Sequence, residues 1–279
     1  MAMPIGWEVP VTESIHAILI SPLQGIIEFF KYLLFKTGIL SFPFQPLSIF
    51  ARSTALNDAS ELIADSLPRK TRSSKEKTLL SVADFDNAIP DIELMPLATS
   101  ASDNIEEHFN VFTKIGVFTL LATTLQPLSR GTVRLASSNP HDKPKVDFGF
   151  LSDPTDYVVA RKAVRLALKF GGAIRETGFP LLGGVCVPAG DSDEDVDKFI
   201  RLRARTAYHY SSTCRMAGEF DKEAPGVVDD ELRVHGVSNL RVCDTSIFPR
   251  IIATHLQAPA VMVAEKCADM IKVGLPKEE

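Results

Sequence analysis

The sequence has little that would tie it to nucleic acid, to a membrane span or to a disulfide-built scaffold. Acidic residues outnumber basic ones, 35 to 30, for a net charge of -5, so there is no electrostatic footprint for a polyanion. Only four cysteines occur, Cys186, Cys214, Cys243 and Cys267, with no CxxC pair. Their wide spacing suits neither a disulfide framework nor a compact zinc module, so no metal site is expected and a reducing compartment fits. No basic stretch followed by an apolar core opens the chain. No signal peptide is therefore read, and the cytoplasm is the default location. The apolar run Ile26 to Phe35 is broken by Glu28 and Lys31, too short and too charged to span a bilayer. There is no internal repeat, and no GxGxxG turn to cradle a dinucleotide.

What is present is a soluble globular composition, 45% hydrophobic and 23% charged over 279 residues, enough for a large core. Ser21-Pro22 predicts a helix start, with Ser as cap and Pro at the first position. Ile26, Phe29, Phe30, Leu33 and Leu34 then share one face, as in a core helix, with an interfacial helix as the alternative, and Gly38 is a stop. Residues 65–77 are almost devoid of apolar side chains and read as a mobile loop. From Val111 to Thr123 the pattern is that of a strand. Thr132–Leu135 and Pro144–Phe148 add short strands on either side of a loop. Asp153-Pro154 predicts a helix that stops at Gly171-Gly172, and Ser192-Asp193-Glu194-Asp195 predicts another, with acids at its positive end.

The densest stretch lies near the end. It runs from Tyr208-His209-Tyr210-Ser211-Ser212-Thr213-Cys214-Arg215-Met216 through Gly226-Val227-Val228-Asp229 and Leu232-Arg233-Val234-His235-Gly236-Val237. It continues with Leu240-Arg241-Val242-Cys243-Asp244-Thr245-Ser246 and His255-Leu256-Gln257-Ala258-Pro259, and a helical pattern from Ala260 to Ile271 closes it. A histidine alone is more often structural than catalytic. Two of them in this order of motifs single out His209 and His255, while His235 reads as a turn residue and His16, His108 and His141 have no such context.

This order of motifs resembles the C-terminal end of the glucose–methanol–choline (GMC) oxidoreductases, which are FAD-dependent alcohol oxidases and dehydrogenases. Pro127-Leu128-Ser129-Arg130-Gly131-Thr132-Val133 resembles the strands of their substrate domain. Two positions depart from the family pattern. Tyr210 stands where Pro usually follows the first histidine, and Ser212 where Gly usually precedes the Thr-Cys-Arg-Met run.

The resemblance implies an α+β fold: an antiparallel-sheet substrate domain with flanking helices over about residues 1–200, then the C-terminal segment of an FAD-binding α/β domain over 201–279. It implies oxidation of a small-molecule alcohol to an aldehyde or ketone with FAD as acceptor. His209 would take the hydroxyl proton and His255 would hydrogen-bond the same oxygen. Asp244 and Thr245 would meet the pyrophosphate and ribityl chain, and Gln257 and Ala258 the pyrimidine edge of the flavin. The missing Gly-rich unit implies that the N-terminal FAD-binding part is lacking. A complementary N-terminal half then becomes a partner, and the competing reading is an inactive fragment that acts only as a folding or binding partner.

Overall fold

A computed structural model describes residues 1–41, 45, 47–63, 89–112, 114–222 and 224–274; the stretch expected as a mobile loop, 65–77, lies outside them. In chain order the main elements are β1 (Ala2–Val9), α1 (His16–Ile20), α2 (Pro22–Phe35), β2 (Ile49–Ala51), β3 (Ile92–Leu97), β4 (Gly116–Thr124), β5 (Thr132–Arg134) and β6 (Lys145–Asp147). They continue with α3 (Thr155–Glu176), β7 (Gly184–Cys186), α4 (Asp193–Arg203) and α5 (Gln257–Gly274). They form two compact units. The first holds Met1–Thr124 and Asp153–Arg205, the second Leu125–Ser152 and Thr206–Glu279.

The first unit is built on a five-stranded sheet in the order β2-β3-β4-β1-β7, with every pairing antiparallel. Its centre is the β1–β4 ladder, which pairs Ala2 with Thr123 and runs to Val9 opposite Gly116. Met3, Ile5, Ile92, Leu94, Val117 and Leu120 are almost wholly buried around it. Nearly every position of β1 and β4 is buried, so side chains on both faces are covered. That removes the clean alternation a half-exposed strand would show. Helix α3 packs over β4, β3 and β1 through Ala160, Ala163, Val164 and Ala167, small residues that let a helix approach the sheet closely. The α+β class and antiparallel sheet expected from the sequence are what the chain adopts.

Several local expectations shift. Val111 and Phe112 end a π-helical turn over His108–Phe112 instead of starting the strand. Asn104 begins that helical stretch by accepting from the Glu107 amide at 3.0 Å. Helix α3 does not stop at Gly171-Gly172 but runs on to Glu176. Gly171 is there for space: a Cβ on it would sit 2.3 Å from Cζ2 of Trp7. Helix α4 starts as expected, with Ser192 Oγ accepting from the Asp195 amide at 3.1 Å.

Helix α2 is the largest departure. Ser21 caps it by accepting from the Gln24 amide at 3.3 Å, and Lys36 closes it in the left-handed region at φ 55. Yet the residues expected on a core face, Ile26, Phe29, Phe30, Leu33 and Leu34, are all about half exposed or more. The one buried residue of the helix is Glu28. Its carboxylate accepts from Lys31 Nζ at 2.7 Å, Gln24 Nε2 at 3.1 Å and the Ile39 amide at 2.9 Å. The Lys31 ammonium first, then the Ile39 amide, hold its pKa below the usual carboxylate value. The following turn folds back close enough that a side chain at Gly38 would meet Glu28 Oε2.

The two adjacent glycines of α3 separate packing from helix propensity. Replacing an interior helical Gly by Ala normally gains about 1 kcal/mol. Nothing lies within 4 Å of a Cβ at Gly172, so Gly172→Ala is expected to raise the thermal midpoint. At Gly171 overpacking against the buried Trp7 ring costs roughly 1–3 kcal/mol, and Gly171→Ala is expected to lower it. Thermal scans of the two variants that moved in the same direction would contradict this contact.

Candidate functional site

The second unit carries the motif-dense end of the chain. Its core is small: Val228, Leu232, Ile247, Phe248, Leu256, Val263 and Cys267, with Met216, Val234, Val242 and Cys243 packed against it. The hairpin β5–β6 pairs Thr132 with Asp147 and Arg134 with Lys145; the two strands are where the sequence suggested, but every position of both is exposed, not alternately buried as a half-exposed strand would be. Beyond it Phe148 stacks on both Phe150 and Tyr210, with ring centroids 5.3 and 5.6 Å apart. Tyr210, which replaces the family's usual Pro, thus finds its ring partner on a segment some sixty residues upstream.

Residues 212–216 are laid alongside 245–247 by backbone hydrogen bonds: Ser212 N to Thr245 O at 3.3 Å, Cys214 N to Ser246 O at 2.9 Å and Met216 N to Ile247 O at 2.8 Å. Thr245 Oγ1 extends the ladder by donating to the Tyr210 carbonyl at 2.7 Å. The Asp244 carboxylate caps the short 3-10 turn Thr245–Ile247, accepting from the Ser246 amide at 2.7 Å. The chain then returns through Ile251–His255 into α5, whose Val263 and Cys267 enter the core. Gln257, Ala258 and Pro259 form the first turn of that helix. The sequence pattern put its start at Ala260. A Pro in the first turn is tolerated because the first four amides of a helix have no partner inside it.

These connections bring His209 and His255 together. Their half-buried rings lie 5.1 Å apart, centroid to centroid, and are tilted by 58°. Asp244 is exposed, Thr245 half-buried, and Gln257 and Ala258 exposed at the helix start. The other histidines are placed differently. His235 Nε2 pairs with the Ala217 carbonyl at 2.9 Å. His16 is buried in the first unit between the Ile115 carbonyl and Thr99 Oγ1. Among the described residues no group of three His, Cys, Asp or Glu side chains could hold a metal ion.

The comparisons with known proteins follow the same stretch. Residues 127–264 match the C-terminal region of the family described as GMC oxidoreductase. The chain belongs to the GMC oxidoreductase family. A dehydrogenase of Emericella nidulans, pkfF, is 44% identical over 158 residues, 56% of this chain and 25% of that protein. Mitochondrial choline dehydrogenase of Homo sapiens is 37% identical over 185 residues, 66% of this chain and 30% of the enzyme. The chain thus spans a quarter to a third of the length of these GMC relatives. A solved variant of Aspergillus oryzae RIB40 formate oxidase, studied for FAD modification, superposes on 98% of this chain and 46% of its own, with TM-score 0.72 and 22% identity. That likeness speaks to the fold alone.

FAD is the cofactor that goes with this family, and one side chain that sequence reasoning passed over suits such a ligand. Ser246 Oγ is buried with no hydrogen-bond partner among the described residues. A buried hydroxyl left unpaired costs free energy, and this one adjoins Asp244 and Thr245. A polar group bound at that turn would satisfy it. Its neighbours in sequence had drawn attention to the turn, but nothing local marked the orphaned hydroxyl.

Ser212 offers a test of the local backbone. It sits at φ 69, in the left-handed region where a side chain costs roughly 1–2 kcal/mol, and where the family pattern has Gly. The greater freedom of Gly in the unfolded chain returns about 0.4–1 kcal/mol of that. Ser212→Gly is therefore expected to stabilise the chain by about 1 kcal/mol or less. A lower denaturation midpoint for that variant would show that the Ser212 hydroxyl contributes more than its backbone strain costs.

Proposed function

We propose that this chain carries the proton-handling half of an FAD-dependent alcohol oxidoreductase, and that His209 and His255 together hold the hydroxyl of a small-molecule alcohol. The observation that carries this is the approach of the two imidazoles to 5.1 Å, a spacing that one oxygen can bridge. An imidazole titrates near neutrality and can accept a proton at one nitrogen while the other stays protonated. His209 takes the hydroxyl proton as the alcohol becomes a carbonyl, and His255 donates to the same oxygen and fixes its place. Bound FAD supplies the acceptor for the hydride that leaves the α-carbon.

The remaining residues position that cofactor. The Asp244–Thr245 turn and the Ser246 hydroxyl meet its polar chain. The Gln257 and Ala258 amides, at the positive end of α5, face the pyrimidine edge where negative charge develops on reduction. Residues 1–200 are assigned mainly to substrate binding and 201–279 to the cofactor side, with the reservation for 125–152 that these residues group with the second unit. No GxGxxG occurs in the 279 residues, so the pyrophosphate cradle comes from a Gly-rich strand–turn–helix partner segment. The purified chain alone is expected to be colourless, and a stoichiometric flavin absorbance on it would contradict this assignment.

The catalytic reading is tested in a protein that also contains such a segment. His209→Ala is expected to slow anaerobic flavin reduction by about 10²- to 10⁴-fold, the usual contribution of a positioned base. Adding His255→Ala should cost less than the sum of the two single losses, because both rings act on one oxygen. Unchanged reduction rates in both variants, or a flavin-loaded complex inert toward every alcohol offered, would favour the reading of this chain as a folding partner only.

A further inference from the structure

Two of the four thiols meet between the Asp244 turn and the closing helix. Cys243 immediately precedes Asp244. Its Sγ donates to the Val263 carbonyl at 3.6 Å. In an α-helix that carbonyl is also the acceptor for the amide four residues on, which here is Cys267. The Cys243 thiol therefore lies against the turn of α5 that carries Cys267. The Cys267 thiol lies near enough to act on the Cys243 thiol. Cys267 is 4% exposed inside the core of the second unit, and the half-buried Cys243 packs against that core from outside. Both are reduced thiols here. The remaining two cysteines have other surroundings: Cys186 is buried in the first unit against the Pro4 carbonyl at 3.3 Å, and Cys214 lies in the ladder with Ser246.

We infer that Cys243 and Cys267 form a reversible oxidation site, closing to an intrachain disulfide that ties the Asp244 turn to α5 when the protein meets a peroxide. In the first step the Cys243 thiolate attacks one oxygen of hydrogen peroxide. The O–O bond breaks, a sulfenic acid forms and hydroxide leaves. In the second the Cys267 thiolate attacks the Cys243 sulfur, the S–O bond breaks, and hydroxide leaves again as the S–S bond forms. The two thiol protons end in the two waters, and the two electrons lost by sulfur reduce the peroxide. Cys243 is the residue oxidised first because it is the more accessible of the pair.

The surroundings set the rate. Burial first, then the Cys267 thiol and the nearby Asp244 carboxylate, push the Cys243 thiol up to about 11. Asp244 and Cys267 are the titratable groups that act on it, and apart from Cys267 the core it packs against is made of apolar side chains. Little thiolate is present at neutral pH, so oxidation is slow there and quickens as pH rises. The closed loop contains Asp244, Thr245, His255, Gln257 and Ala258 but not His209, so the bond would restrain the side of the candidate site that carries His255. Closing it should also raise the thermal midpoint, because a cross-link limits the unfolded chain.

The test uses the full chain, reduced and then exposed to hydrogen peroxide, with an alkylating quench, intact mass and a non-reducing peptide map. The expected result is a loss of about 2 Da, as for a two-electron thiol oxidation. A linked peptide pair should contain Cys243 and Cys267, a dithiol should reverse it, and the melting temperature should rise. Cys243→Ser and Cys267→Ser should each abolish the linked pair and the rise, while Cys186→Ser keeps both. A linked pair that involves Cys214, a peroxide product that stops at sulfinic acid on Cys243, or no change of mass at alkaline pH would each overturn the assignment. The wild-type peptide map decides this even if a serine variant fails to fold.

Discussion

The second unit depends on a ladder of three backbone hydrogen bonds that lays Ser212, Cys214 and Met216 along Thr245, Ser246 and Ile247. Neither segment is regular secondary structure beyond a single 3-10 turn, and each is poor in apolar side chains of its own. What holds them is mutual satisfaction of amides and carbonyls that would otherwise be buried without partners. His209 precedes one side of the ladder, and the chain leads from the other side to His255. The approach of the two rings follows from main-chain pairing, so it does not depend on a favourable contact between the histidines themselves.

The core beneath the ladder is made of few side chains: Val228 and Leu232 from one turn, Ile247 and Phe248 from the ladder's end, Leu256 from just before the closing helix, and Val263 and Cys267 from within it. Asp229 reinforces the first turn, its carboxylate accepting from the Arg233 and Glu231 amides at 2.8 and 2.9 Å and from Arg233 Nε at 2.9 Å. These polar contacts fix the shape of the turn that delivers Val228 and Leu232 to the core.

Much of this was legible in the residues. The order of motifs pointed to His209 and His255, and Asp244-Thr245 read as a turn before the structure placed it. Caps such as Ser21 and Ser192, and the alternation in 132–135, are local signals and were readable as such. The strand β1 was not, because burial on both faces erases alternation. Nor was the continuation of α3 through Gly171-Gly172: two glycines read locally as a stop, and the reason for one of them is the Trp7 ring, more than 160 residues away in sequence. The start of α5 is not legible locally, because Pro259 reads as preceding the helix while it sits within the first turn. The thiol pair joins positions 24 residues apart, and no spacing rule brings them together without the helix–turn packing. The orphaned Ser246 hydroxyl is a property of surroundings, invisible in any sequence.

Helix α2 separates two tasks that most helices combine. Its shape and its connection to the next turn are secured by a polar latch, Glu28 with Gln24, Lys31 and the Ile39 amide, while its apolar side chains, from Leu23 to Phe35, face outward. The residues that fold it and the residues that it displays are therefore different sets. Such a helix can change its outer surface by drift, one side chain at a time, without losing its own geometry. Substitution should be tolerated on the displayed set and resisted at Glu28 and Gly38, which gives α2 the evolutionary character of an adaptable face mounted on a fixed hinge.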